Sequence, residues 1–164
     1  MERCILIYRK LLAEQGLLRE SSNFNIKEYI ESKGFEVQCG KGASENLIKY
    51  AEKKLGTKFG PQLRDYLKTY GSLSFEYHEF TGLNDHIKDK DRNDLIYATL
   101  SVTELCKEAE GLIAVYAVGN GDYDMLDSND NVYEYYHDGR TPIKKTSMDF
   151  HSYIKHVADT TVKD

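Results

Sequence analysis

The sequence predicts an α+β fold in one domain: helices first, then a central, mostly antiparallel sheet folded as a meander, then a closing C-terminal helix. Three observations lead there. Residues 44–70 carry two apolar stripes at helical spacing. Residues 111–137 switch to short apolar and alternating runs separated by Gly/Asn-rich turns. Residues 147–157 return to helical spacing. A length of 164 residues matches one domain and can bury a core without disulfides or metal.

Taken in order, Ile5, Leu6, Tyr8, Leu11, Leu12, Leu17 and Leu18, with charges between them, predict a helix over 1–20 that falters near Gly16. Asn25 caps a short helix, Ile26–Lys33, which Gly34 stops. Gly40–Ala43 is a loop. Ser44 caps a clearer helix whose stripe is Leu47, Ile48, Ala51 and Leu55, with Gly56 as its end. Pro61 suits the first turn of the next helix, whose stripe is Leu63, Tyr66, Leu67 and Tyr70, with Gly71 as the stop.

The period then changes. Leu73, Phe75 and Tyr77 alternate with polar residues and predict one strand. Residues 84–94 form a charged loop. Leu95–Thr99 reads as a short strand, and Ser101–Glu104 has capping-box spacing for a helix reaching about Ala109. Gly111–Val118, Tyr123–Leu126 and Val132–His137 are strands joined by turns at Gly119–Gly121 and Ser128–Asn131. Ser147–Val157 is the last helix, with Met148, Phe150, Tyr153, Ile154 and Val157 facing inward.

Composition narrows the function. The net charge of −5 is uneven: residues 1–70 carry +4 and residues 71–164 carry −9. An acidic half repels nucleic acid and attracts basic partners. Thirteen tyrosines against six phenylalanines and no tryptophan favour contact surfaces as well as core edges. Cys4, Cys39 and Cys106 have no C-x-x-C spacing, so neither a disulfide framework nor a zinc site follows. The apolar run Cys4–Tyr8 is too short for a signal peptide or a membrane span, and a cytoplasmic protein is expected.

No catalytic set stands out. His151 and His156 are five residues apart, about 140° around a helix, and read as solvated. His137 and Asp138 could form half of an acid–base pair, but no nucleophile motif accompanies them. Asp127–Asn131 with Asp138 has oxygens at calcium-loop positions, but Val132 stands where a glycine is needed, so a polar hairpin turn is the better reading. No phosphate-cradling glycine loop is present, and no cofactor or metal is expected.

What remains is the meander. Six acids and only one base, Arg140, fall between Gly111 and Arg140, interleaved with tyrosines. Alternation puts Tyr133, Tyr135 and His137 on one face of their strand and Val132, Glu134 and Tyr136 on the other. Two arrangements satisfy this pattern: an accessible aromatic row, or a strand buried on both sides with acids at the turns. The residues expected to meet a partner are Glu76, Asp122, Tyr123, Asp124, Glu134, Tyr135, Tyr136 and Asp138.

The stretch from Gly42 to Gly56, with Phe59, Tyr66–Gly71 and Ser74-Phe75, resembles the SUKH superfamily of bacterial immunity proteins and a fungal cell-wall-assembly regulator. Further on, Ile113–Val118, Gly121–Asp124, Val132–Tyr135 and Phe150–Ile154 look like that family's sheet and closing helix. The resemblance covers roughly residues 26–157 and leaves 1–25 as a helical N-terminal extension. Gly60-Pro61 offsets the proline from its usual place in the pattern. The resemblance implies a non-enzymatic immunity protein that binds and neutralises a cognate toxin, often a basic nuclease, in the cytosol. A regulatory scaffold is the alternative that the fungal relatives suggest, and a small enzyme using His137 and Asp138 ranks third. Whether the tyrosines also support a homodimer is left open.

Overall fold

The structure, a computed structural model, describes residues 24–84 and 93–163. The helix expected over 1–20 and most of the 84–94 loop lie outside the described residues. Helix α1 (Ile26–Ser32) starts where the Asn25 side chain accepts a hydrogen bond from the Glu28 amide, and it buries Ile26 and Ile30. Strand β1 (Val37–Cys39) was not foreseen. It is three residues long and buries only Val37, too little alternation to read.

Helix α2 (Glu45–Leu55) is capped by Ser44, whose hydroxyl accepts from the Leu47 amide, and it ends at Gly56 in the left-handed region at φ 67°. Helix α3 (Pro61–Tyr70) buries its whole expected stripe, Leu63, Tyr66, Leu67 and Tyr70. Its cap comes from far away. Asp130, fully buried, accepts from the Gln62 amide at 3.0 Å and the Leu63 amide at 3.1 Å. Gly60 has an ordinary φ of −67°. It is glycine because a Cβ there would lie 2.2 Å from the Asp130 carboxylate. The displaced Gly60-Pro61 pair is thus a seat for that carboxylate.

The strand read over Leu73–Tyr77 is a hairpin, β2 (Leu73–Phe75) and β3 (His78–Phe80), turning at Glu76 and Tyr77. Glu76 takes φ 49°, and Tyr77 points to solvent rather than inward. The strand read over Leu95–Thr99 is the start of helix α4 (Leu95–Leu105), which Asp94 caps through the Tyr97 amide. Leu95, Ala98, Thr99 and Val102 are buried at helical spacing. Ser101 and Thr103 do not start a helix there. Their hydroxyls donate back to the carbonyls of Tyr97 and Thr99, four residues earlier.

Strands β4 (Ile113–Gly119), β5 (Asp122–Leu126) and β6 (Asn131–Tyr135) form the expected meander. The turn between β5 and β6 is held by Asp127, which accepts from the amides of Asn129 and Asn131. A seventh strand, β7 (Ile143–Asp149), replaces the first turn of the expected last helix, so Met148 lies on a strand. The described strands make one antiparallel sheet in strict chain order, β1 to β7. Helix α5 (Phe150–Thr160) follows β7 with no loop: Asp149 ends the strand and also caps the helix through the Ser152 amide. Gln62 of α3 clamps this junction, donating to Asp149 and accepting from the His151 amide.

Neighbouring residues of β5 and β6 point to opposite faces. Leu126 and Val132 join the main core with α1, α2, α3 and α5. Met125 and Tyr135 join a second core with Ala98 and Val102 of α4. Ala114 of β4 joins that second core, and its amide donates to the Thr99 hydroxyl, which ties α4 to the sheet.

Candidate functional site

One row of residues crosses the sheet beneath α5. Cross-strand pairing sets Phe80, Tyr116, Asp124, Glu134 and Lys144 side by side from β3 to β7. Helix α5 reaches this row through Tyr153, whose hydroxyl donates to Asp124 Oδ2 and whose ring meets Phe80 edge-on. At one end His78 bridges the Tyr116 hydroxyl, 2.8 Å from Nδ1, and the Thr161 hydroxyl, 2.9 Å from Nε2. Between the row and the helix lies a cleft of about 250 Å³. Carboxylates of Asp124 and Glu134 line it together with the rings of Tyr116 and Tyr153, and Val118, Val132, Met148 and Val157 supply its apolar surface.

The cleft is electrostatically one-sided. Burial pushes the Asp124 carboxyl above the ordinary range, and the nearby Glu134 and Asp122 charges act in the same sense. The Tyr153 hydroxyl offsets part of this by donating to the ionised form. Burial also pushes Tyr153 well above the usual tyrosine value and lowers His78, so both line the cleft as neutral groups. Glu134 forms an ion pair with Lys144, 3.9 Å away on an exposed side chain.

The rim continues the charge. Asp122 accepts from the His137 amide at 3.0 Å and from ring Nδ1 at 2.9 Å. Those bonds hold Asp122 below and His137 above their ordinary values. Donor atoms of Asp122, His137 and Asp138 lie within 4.8 Å of one another. Tyr136 donates to Glu134 at 2.7 Å. Three exposed apolar or aromatic residues touch the site: Val118 in its wall, Tyr136 on Glu134, and Tyr77, whose ring centroid is 4.3 Å from that of His78.

Of the expected contact residues, the fold gathers Asp122, Asp124, Glu134, Tyr136 and Asp138 at the cleft and its rim. Glu76 stands at the far end, where its charge acts on His78. Tyr123 and Tyr135 pair with each other on the opposite face. Tyr135, only 3% exposed, belongs to the second core, and Tyr123 packs against it. Neither arrangement holds as expected: the tyrosine face of β6 is covered by the second core, while the other face carries Glu134 in mid-strand on the cleft. His151 is not solvated as expected: its ring packs 4.9 Å from that of Phe24, and its Nε2 is buried with no partner among the described residues. Tyr116, Tyr153 and His78 had no functional assignment from sequence. Each reads as a core or strand residue until the fold sets Tyr116 and Tyr153 beside Asp124 and His78 against Tyr116.

Among the described residues no helix is long and apolar enough to cross a membrane. No curated protein matches the chain. A crystal structure of a protein from Pseudomonas syringae pv. tomato has the same fold, with a TM-score of 0.59 at 15% identity over 82% of this chain and 96% of that one. A family model described as SUKH_5, SMI1-KNR4 cell-wall, matches residues 24–159. That match takes in α1, both cores and every strand that lines the cleft, and the chain belongs to the SUKH family.

Proposed function

We propose that this chain is an immunity protein that binds a basic toxin, most simply a nuclease domain, one to one and blocks it in the cytosol. The observation that carries the reading is the acidic cleft with its exposed aromatic rim. Nucleases approach phosphates with cationic surfaces. A surface of carboxylates would steer such a partner in, while Tyr77, Tyr136 and Val118 supply contact area that is lost from water on binding. SUKH membership supports the role, since bacterial members of the family are associated with immunity. The test is calorimetry against the toxin encoded beside the gene, with survival of cells expressing that toxin. Stoichiometric binding and protection are expected; no complex and no protection would end the proposal.

A regulatory scaffold is the second reading, favoured by the cell-wall wording of the matching family description. It predicts no toxin gene in the neighbourhood and a host protein as the bound partner.

A further inference from the structure

The cleft's size and chemistry specify more than a general preference for basic proteins. Pockets that hold a whole small molecule run from roughly 300 to 1,000 Å³. At about 250 Å³ this cleft suits one long side chain. Its described charged groups are Asp124 and Glu134, with His156 exposed at the mouth and Lys144 outside, against Glu134. His78 has both ring nitrogens engaged by hydroxyls. Asp124 uses Oδ2 for Tyr153, and its other oxygen accepts no hydrogen bond among the described residues. Two carboxylates on adjacent strands, flanked by two phenol rings, match a planar cation that carries several donors. A guanidinium offers five donors in a fixed fork and stacks on aromatic rings, whereas an ammonium is a compact and strongly hydrated point charge. The valine and methionine walls suit the methylene stem that leads to such a head.

We infer that the cleft is an arginine pocket, in which Asp124 and Glu134 accept the guanidinium of one partner arginine between the rings of Tyr116 and Tyr153. This deepens the proposed function and rests on its basic-protein partner. The test titrates the full chain with agmatine, which carries a guanidinium and an ammonium on one short stem, and separately with putrescine, the diamine of the same stem and charge, at the same ionic strength, followed by amide and aromatic NMR shifts. Agmatine should give saturable shifts centred on Tyr116, Asp124, Glu134 and Tyr153, with putrescine about tenfold weaker or more because, at equal charge, it cannot form paired charge-assisted bonds. Glu134→Gln should weaken agmatine by a similar factor. Val118→Trp, at an exposed wall position, should do so by filling the cleft without touching a carboxylate. Equal binding of the two amines, shifts spread over the whole acidic surface, or unchanged binding in both variants would overturn the pocket. Toxin binding that persists in Val118→Trp, with no agmatine binding, removes the pocket and keeps the partner. Agmatine binding without toxin binding does the reverse.

Discussion

The seat of Asp130 against Gly60 predicts a specific pattern of non-additivity. Asp130 supplies two hydrogen bonds from a carboxylate to backbone amides at a helix start. Bonds to a charged group contribute about 1.5–3 kcal/mol each, and losing an N-cap costs about 0.5–2 kcal/mol. The two figures describe overlapping contacts, so removing the carboxylate should cost about 3–4 kcal/mol. For a chain of this size that lowers the Tm by roughly 10 °C. Asp130 sits at φ 62°, so Asp130→Gly removes the carboxylate without adding left-handed strain, as alanine would. Gly60→Ala alone should cost about 1–3 kcal/mol, because its Cβ would meet the carboxylate at 2.2 Å. In the Asp130→Gly background the same change should be nearly neutral, because the backbone there is ordinary. Urea unfolding of the four proteins measures the coupling, expected at about 1–3 kcal/mol. Additivity within about 0.5 kcal/mol would refute the account of why residue 60 is glycine.

The two tyrosine neighbours should separate stability from binding: Tyr135→Ala empties a buried site at a cost of about 3–5 kcal/mol, while Tyr136→Ala stays within about 1 kcal/mol and weakens partner binding, as unfolding and calorimetry would show. Burial raises the folded pKa of Asp124, so the stability tied to its protonated form is present below the ordinary carboxylate range and lost as pH rises through the raised value. Asp124→Asn should therefore gain on wild type as pH rises from below the ordinary carboxylate range toward neutrality, and a flat difference across urea titrations would refute it. His137 is held above and Asp122 below their ordinary values. The pair's contribution should be present below the ordinary histidine range, fade as pH rises through the raised folded value, and fade again on the acid side as Asp122 protonates; wild type minus His137→Gln, followed by thermal unfolding, measures it.

Where burial follows one period over two turns, the chain is readable from its residues. The stripes Leu47–Leu55 and Leu63–Tyr70, with caps at Ser44 and Gly56, specify their helices locally. Errors fall where a short window fits two periods. Leu95–Thr99 is β-branched and aromatic enough to pass for a strand, and only the cap at Asp94 and the stripe continuing to Val102 make it a helix. Strand β7 buries little and carries two lysines near its start, so nothing in its residues marks it; β6 pairs with it through backbone groups. The candidate site was half legible. Acids and tyrosines announced themselves by composition, but which side of β6 they face depends on α4 covering one side and α5 the other. Those coverings are long-range facts, as is the capping of residue 62 by residue 130.

The loopless passage from β7 into α5 bears on the kinetics of recognition. A helix joined to its strand by a flexible loop can swing away from a sheet. Here Asp149 belongs to both elements, and Gln62 holds the corner from a third. The distance between α5 and the sheet is therefore set by hydrogen bonds that must break before it can change. A partner of the proposed kind would meet the cleft already at its working width and lose little affinity to ordering it. Under that proposal, association would proceed as docking of preformed shapes, with electrostatic steering governing the on-rate. An inhibitor that must reach a newly made toxin before the toxin reaches its target gains most from that kind of rigidity.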